Sequence, residues 1–306
     1  MPSAYLPRRV VHTLKGHEGP VHTAVYSSDG AYVLTGCQDR QVRLYNAGSG
    51  ALVKAYSGHA WEVLDVCVAR DNATFASCGG HRSIFLWDVA TGQVLRRFPG
   101  HDQKVNAVAL NGDASVLATG SYDTTVHLWD CRAMARAPIQ TLSDAKDSIT
   151  TLAITSNSIF SGSVDEEIRK YDLRAGGTLA SDCIGAPVTH LSLSQDEKCI
   201  LSSSLDNSVR LMDREDGSAL ATLTGHVNAS SKVRACFGYG DAQVLSGSED
   251  GRILTWDILE GKVLRDLSAH TKAVTGLASH PKGHGLISCS FDGSAYIWEV
   301  EGGPSS

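Results

Sequence analysis

The feature that most restricts this chain is a period. A dipeptide of one large side chain and one acidic or amide residue recurs seven times. It reads Tyr45-Asn46, Trp87-Asp88, Trp129-Asp130, Tyr171-Asp172, Met212-Asp213, Trp256-Asp257 and Trp298-Glu299, with successive gaps of 42, 42, 42, 41, 44 and 42 residues. Six residues before each stands a second column: Asp39, His81, Asp123, Asp165, Asp206, Asp250 and Asp292. A unit of ~40 residues cannot bury a core alone, so seven units in phase must pack on one another.

The third unit shows what is being repeated. Lys104 to Leu110, Ser115 to Ser121 and Thr125 to Trp129 are short runs rich in strand-favouring residues. Asn111-Gly112-Asp113 and Tyr122-Asp123-Thr124 separate them, and Ile139 to Leu142 supplies a fourth strand. Equivalent turns recur at Ser28-Asp29-Gly30, Thr91-Gly92 and Asp216-Gly217, where Gly and Asp provide the backbone angles. The expectation is an all-β chain of seven four-stranded blades around a central channel, one propeller over residues 1–306. The sequence repeats fall at about 10–46, 51–88, 93–130, 138–172, 178–213, 218–257 and 262–299. After Trp298 the chain ends before a fourth strand, while Val10 to Leu14 matches the register of Val94 to Phe98 and Val263 to Leu267. The N-terminal segment is therefore expected to complete the last blade, burying Val10, Val11 and Leu14 and covering a bare strand edge.

Composition narrows the function. A net charge of −6, with basic residues clustered only as the pairs Arg8-Arg9 and Arg96-Arg97, argues against a nucleic-acid footprint. No apolar run approaches the roughly 20 residues of a membrane span. Met1 to Arg9 lacks the apolar stretch of a secretory signal, so a cytoplasmic and nuclear location is expected. Eight cysteines without a CxxC pair read as reduced thiols packed as small hydrophobes.

Histidine, hydroxyl, aspartate and tryptophan recur together: His101, Thr119, Asp123 and Trp129; His226, Ser246, Asp250 and Trp256; His270, Ser288, Asp292 and Trp298. The pattern superficially resembles a catalytic triad, but an active site needs one constellation, not many copies. Buried hydrogen-bond chains from indole through hydroxyl and imidazole to carboxylate are the structural reading. Phosphate-cradling, nucleophile-elbow and HExxH motifs are absent, and His280 and His284 flank a Pro-Gly turn, so no enzyme activity, cofactor or metal is expected. Departures matter too. His81 replaces the turn aspartate of the second unit, expected to face His59. The fourth and fifth units lack the opening histidine and should rest on apolar packing alone. The sixth carries about three extra residues between His226 and Val233.

These motifs resemble the WD40 family over nearly the whole chain. Segments outside the shared consensus narrow the resemblance: Tyr56-Ser57-Gly58-His59 with Glu62-Val63-Leu64-Asp65, Ala90-Thr91-Gly92-Gln93-Val94, Trp129-Asp130-Cys131-Arg132, Gly162-Ser163-Val164-Asp165 and Ser203-Ser204-Leu205-Asp206. They are similar to the mitogen-activated protein kinase organizer family. The resemblance implies a scaffold for a kinase cascade that is also found with spliceosomal assemblies, a monomeric propeller within larger protein complexes. Asp130-Arg132 and Asp172-Arg174 also resemble the Asp-x-Arg motif by which some propellers dock a cullin-ring ligase adaptor. Local pairing by Arg132 and Arg174 is the alternative. The expected partner face holds Trp61, Glu62, Lys104, Tyr122, Lys232, Arg234, Glu249 and Phe291.

Overall fold

Strand alternation puts one face of each sheet against the next sheet, and only a ring leaves no such face bare. The computed structural model describes residues 6–173 and 177–300, and apart from a 3-10 turn at Tyr239–Asp241 its regular structure is all strand. Seven antiparallel sheets of four strands follow one another around the ring. The first blade runs Val21–Tyr26, Tyr32–Cys37, Gln41–Asn46, Leu52–Ser57, from the channel outward. The other blades repeat that order. No described helix is long and apolar enough to cross a membrane.

The seventh blade is built from both ends of the chain. Val274–Ser279, Gly285–Ser290 and Ala295–Val300 are completed by Pro7–Leu14, antiparallel to Ala295–Val300 with Leu14 opposite Ala295 and Thr13 opposite Tyr296. The closing strand is three residues longer than Val10 to Leu14, and its burial differs from expectation. Val10 and Val11 are 39% and 47% exposed, because the outermost strand turns part of its surface to solvent; Leu14, at 2%, and Leu6 carry the apolar closure.

The core lies between blades. Seven clusters of buried side chains each combine two neighbouring sheets, and the one containing Leu14 joins Ile287, Cys289, Ala295 and Ile297 of blade seven to Val21, Val33, Cys37 and Tyr45 of blade one. One position explains the close approach. A Cβ on Gly120 would lie 2.4 Å from Ile149 Cγ2, so the inner strand of blade four beds directly on the backbone of blade three. The eight cysteines are all free thiols.

Candidate functional site

At one end of every blade, the loop entering the inner strand faces the turn between the second and third strands. That end carries the recurring polar groups. In blade three they form a continuous chain. Trp129 Nε1 donates to Thr119 Oγ1 at 2.9 Å, and His101 Nε2 lies 2.9 Å from the same oxygen. His101 Nδ1 is 2.9 Å from Asp123 Oδ2. Burial pulls the His101 imidazole below its ordinary range against the pull of Asp123. Burial likewise opposes ionisation of Asp123, but hydrogen bonds from Thr125, His101 and the Asp102 N–H together hold its carboxyl at about 2. Blade seven repeats the chain: Trp298 Nε1 to Ser288 Oγ at 2.8 Å, His270 Nε2 to Ser288 Oγ at 2.8 Å, and His270 Nδ1 to Asp292 Oδ2 at 3.2 Å.

Blade six does not assemble its four residues. Trp256 Nε1 donates to the Thr224 carbonyl, Ser246 donates to the Gly247 carbonyl, and Asp250 is held by Arg252, which also binds Asp266. Both ring nitrogens of His226 are buried without a partner; the ring instead meets Trp256 edge-on, and burial lowers its pKa to about 4. Arg252 brings a permanent charge to this carboxylate, and His226 stands 20 residues before its serine where the histidines of blades three and seven stand 18 before their hydroxyl residue.

Blades four and five also differ from expectation, since apolar packing is not alone there. Four residues after each turn aspartate stands an arginine. Arg169 reaches Asp165 Oδ2 at 2.7 Å and Ser163 Oγ at 2.9 Å, and Arg210 binds Asp206, Ser204 and Ser208. Blade one has both devices, His17 on Thr35 and Asp39, and Arg43 on the same carboxylate. This column (Arg43, Phe85, His127, Arg169, Arg210, Leu254, Tyr296) was the readable signal that the histidine pattern hid. His17, Cys37 and Asp39 place metal-ligating atoms within 4.8 Å of one another. His17 and Asp39 are already engaged, and burial pushes the Cys37 thiol up to about 12, so the group suits the blade-one network better than an ion. In blade two, His59 and Trp87 share Ser77 Oγ at 2.7 and 2.8 Å, but His81 does not face His59; it is exposed and reaches Ser83.

Two cations of blade six reach across the channel to other blades. Lys232 Nζ donates to the carbonyls of Asn106 at 3.1 Å and Thr150 at 2.7 Å, in blades three and four. Arg234 crosses to Asp65 of blade two, a pair in which both side chains are 9% exposed. Asp65 also accepts the N–H groups of Val66 and Val108. Burial lowers the Lys232 ammonium to about 8 despite Asp65. These two cations, expected on the partner face, are therefore directed inward: the longer loop before Val233 feeds them into the channel. Glu249 is likewise committed, its Oε1 accepting the N–H groups of Ala229, Ser230 and Ser231 at 3.1, 2.7 and 2.6 Å.

What remains outward is aromatic. Trp61 is 57% exposed and Tyr122 48%, with Lys104 Nζ 5.0 Å from the Tyr122 ring centroid. Phe291 is half-buried and meets His22 edge-on. Glu62 is half-buried beside Gly80. Arg132 is exposed and pairs locally with Asp113 at 3.2 Å, while Arg174 lies outside the described residues.

A closed ring of seven such blades, cemented at one end by these networks, is a WD-repeat propeller, a class built for protein–protein interaction. Residues 15–238 match the family model "Nucleolar protein 10-like, N-terminal domain", and residues 261–299 match "WD domain, G-beta repeat". The chain is 48% identical over 303 residues to WD repeat domain-containing protein 83 of Rattus norvegicus, covering 97% of this chain and 96% of that protein. It is 46% identical over 296 residues to the Homo sapiens protein of that name, covering 97% and 93%. The Dictyostelium discoideum homolog is 32% identical over 314 residues, covering 94% and 96%. The chain belongs to the WD repeat domain-containing protein 83 family.

Proposed function

We propose that this chain is a non-catalytic scaffold of the cytoplasm and nucleus, organising a mitogen-activated protein kinase cascade, spliceosomal assemblies, or both. The observation that carries the reading is the pair Trp61 and Tyr122, exposed at one end of a ring whose channel is crossed by the paired groups Lys232, Arg234 and Asp65. Large aromatic side chains in solvent, where the repeat has no packing use for them, suit protein contact. Charged groups already paired with one another in the channel are not poised for substrate. The family resemblance supplies the kinase and splicing roles.

The competing reading is a substrate receptor docked to a cullin-ring ligase adaptor through Asp-x-Arg. Arg132 is drawn to Asp113, which favours local pairing. Affinity purification followed by mass spectrometry separates the two. Kinase-cascade or splicing proteins, retained in an Arg132→Ala variant, support the scaffold. An adaptor that co-purifies and is lost with Arg132→Ala overturns it.

A further inference from the structure

The turn between the first and second strands follows one rule in blades one, two, three and five, and blade six breaks it with a charge. Asp29, Asp71, Asp113 and Asp196 each accept the N–H of the residue two positions on, and the residue between has a positive φ, from 53° at Ala114 to 78° at Gly30. In blade six Gly240 holds the aspartate position, and Asp241 is the left-handed residue, at φ 55°. Its carboxylate turns to blade five instead, where Oδ2 accepts the Gln195 N–H at 2.7 Å. Between blades one and two a neutral amide serves the same purpose, Asn72 Oδ1 accepting the Ser28 N–H at 2.8 Å. The negative charge of Asp241 is therefore surplus to the turn.

A cavity of about 280 Å³ lies beside Asp241, at the far end of the inner strands of blades five, six and seven. Ala278, Pro281 and Tyr239 form part of its wall, and each is at least partly exposed, so the space is reached from solvent. Asp241 is its one acidic side chain, and no lysine or arginine stands among its described lining residues. His190 and His280 also line it, and burial keeps both imidazoles neutral. Burial and the nearby Asp196 both work against ionisation of Asp241, with only backbone N–H groups to favour it. Its Oδ2 already holds the Gln195 N–H and its Oδ1 is enclosed without a partner, so no open pair of oxygens faces a guanidinium fork. A compact ammonium needs no such pair.

We propose that this cavity receives a lysine side chain of a partner protein, with the methylene stem along Ala278, Pro281 and the Tyr239 ring and the ammonium at Asp241. A long apolar stem ending in a point charge matches a half-apolar cavity that holds one uncompensated carboxylate. The site rests on the scaffold reading. It lies at the end of the ring opposite Trp61 and Tyr122, so a single lysine contact adds to the aromatic end and does not replace it.

The test is fluorescence anisotropy of the full chain with a labelled peptide library, degenerate but free of basic residues apart from one central lysine, beside twins with norleucine or arginine there. The lysine library should bind about tenfold more tightly than the norleucine twin, and more tightly than the arginine twin. Asp241→Asn keeps an acceptor for the Gln195 N–H and a side chain that tolerates the left-handed backbone, as Asn72 does. It should erase the preference at an unchanged melting temperature. Ser192→Lys, which seats a resident ammonium in the same cavity, should erase it too. Trp61→Ala with Tyr122→Ala should leave it intact. Equal binding of the lysine library and either twin overturns the proposal, as does a lysine preference that survives Asp241→Asn, or one lost with the two aromatic residues. Spermidine that binds as tightly as the lysine peptides would mark a site for free amines and overturns it as well. If partners co-purify with a chain that never prefers lysine, the scaffold stands and this site falls.

Discussion

Asp123 and Asp250 occupy the same column of the repeat, yet their surroundings give them different weights. Asp123 binds a buried imidazole and a buried hydroxyl network, whereas Asp250 faces Arg252 in a pair whose side chains are 31% and 35% exposed. Asp123→Ala should cost ~1–3 kcal/mol, the usual penalty for leaving buried hydrogen-bonding groups unmet. Asp250→Ala should cost about 1 kcal/mol or less, as exposed ion pairs do. Urea titrations of the two variants measure this directly; equal losses would contradict the account of blade six. Much at this scale was legible in sequence. The hydroxyl, imidazole, carboxylate and indole of blades three and seven stand at the same spacings and meet in the same register, although blade six keeps that register and its indole takes the Thr224 carbonyl instead. What the histidine spacing hides is partner choice. Whether an aspartate takes a histidine or an arginine depends on which donor is charged and near, and a spacing rule written for histidine overlooks Arg169 and Arg210.

The strand Pro7–Leu14 is the element on which closure depends. Its place in the last blade was readable because it is an outer strand with no blade of its own. Its burial was not, because an outer strand alternates between the neighbouring strand's side chains and water, and two adjacent valines cannot both point inward. Leu14→Ala should therefore cost ~2–5 kcal/mol, as truncations of buried leucine do. Val11→Ala should change stability within about 0.5 kcal/mol, as exposed positions do. Thermal melts of the two variants read out the difference, and a Val11 variant as damaged as the Leu14 variant would contradict the register. Removing residues 1–14 should lower both melting temperature and solubility, since it strips Ala295–Val300 of its outer partner.

Across the whole molecule, charge is sorted. Arg234 and Asp65 are 169 residues apart and meet only because the ring is closed, so no local pattern announces them. Asp65→Ala should destabilise by ~3–5 kcal/mol, because it leaves a buried guanidinium uncompensated. A variant as stable as the parent would mean that water or a relaxed Arg234 replaces the pair. With Lys232, Arg234 and Asp65 bound to one another's blades across the channel, recognition falls to the outer surface, where the two most exposed aromatic side chains, Trp61 and Tyr122, share the end that carries the loops entering each inner strand. The measurement that bears most directly on this is partner co-purification with Trp61→Ala, Tyr122→Ala and Phe291→Ala combined, after circular dichroism has shown the fold intact. The account predicts a folded protein that has lost its partners. A folded triple variant that retains every partner at unaltered affinity would place recognition on the opposite end or the rim, and would contradict it.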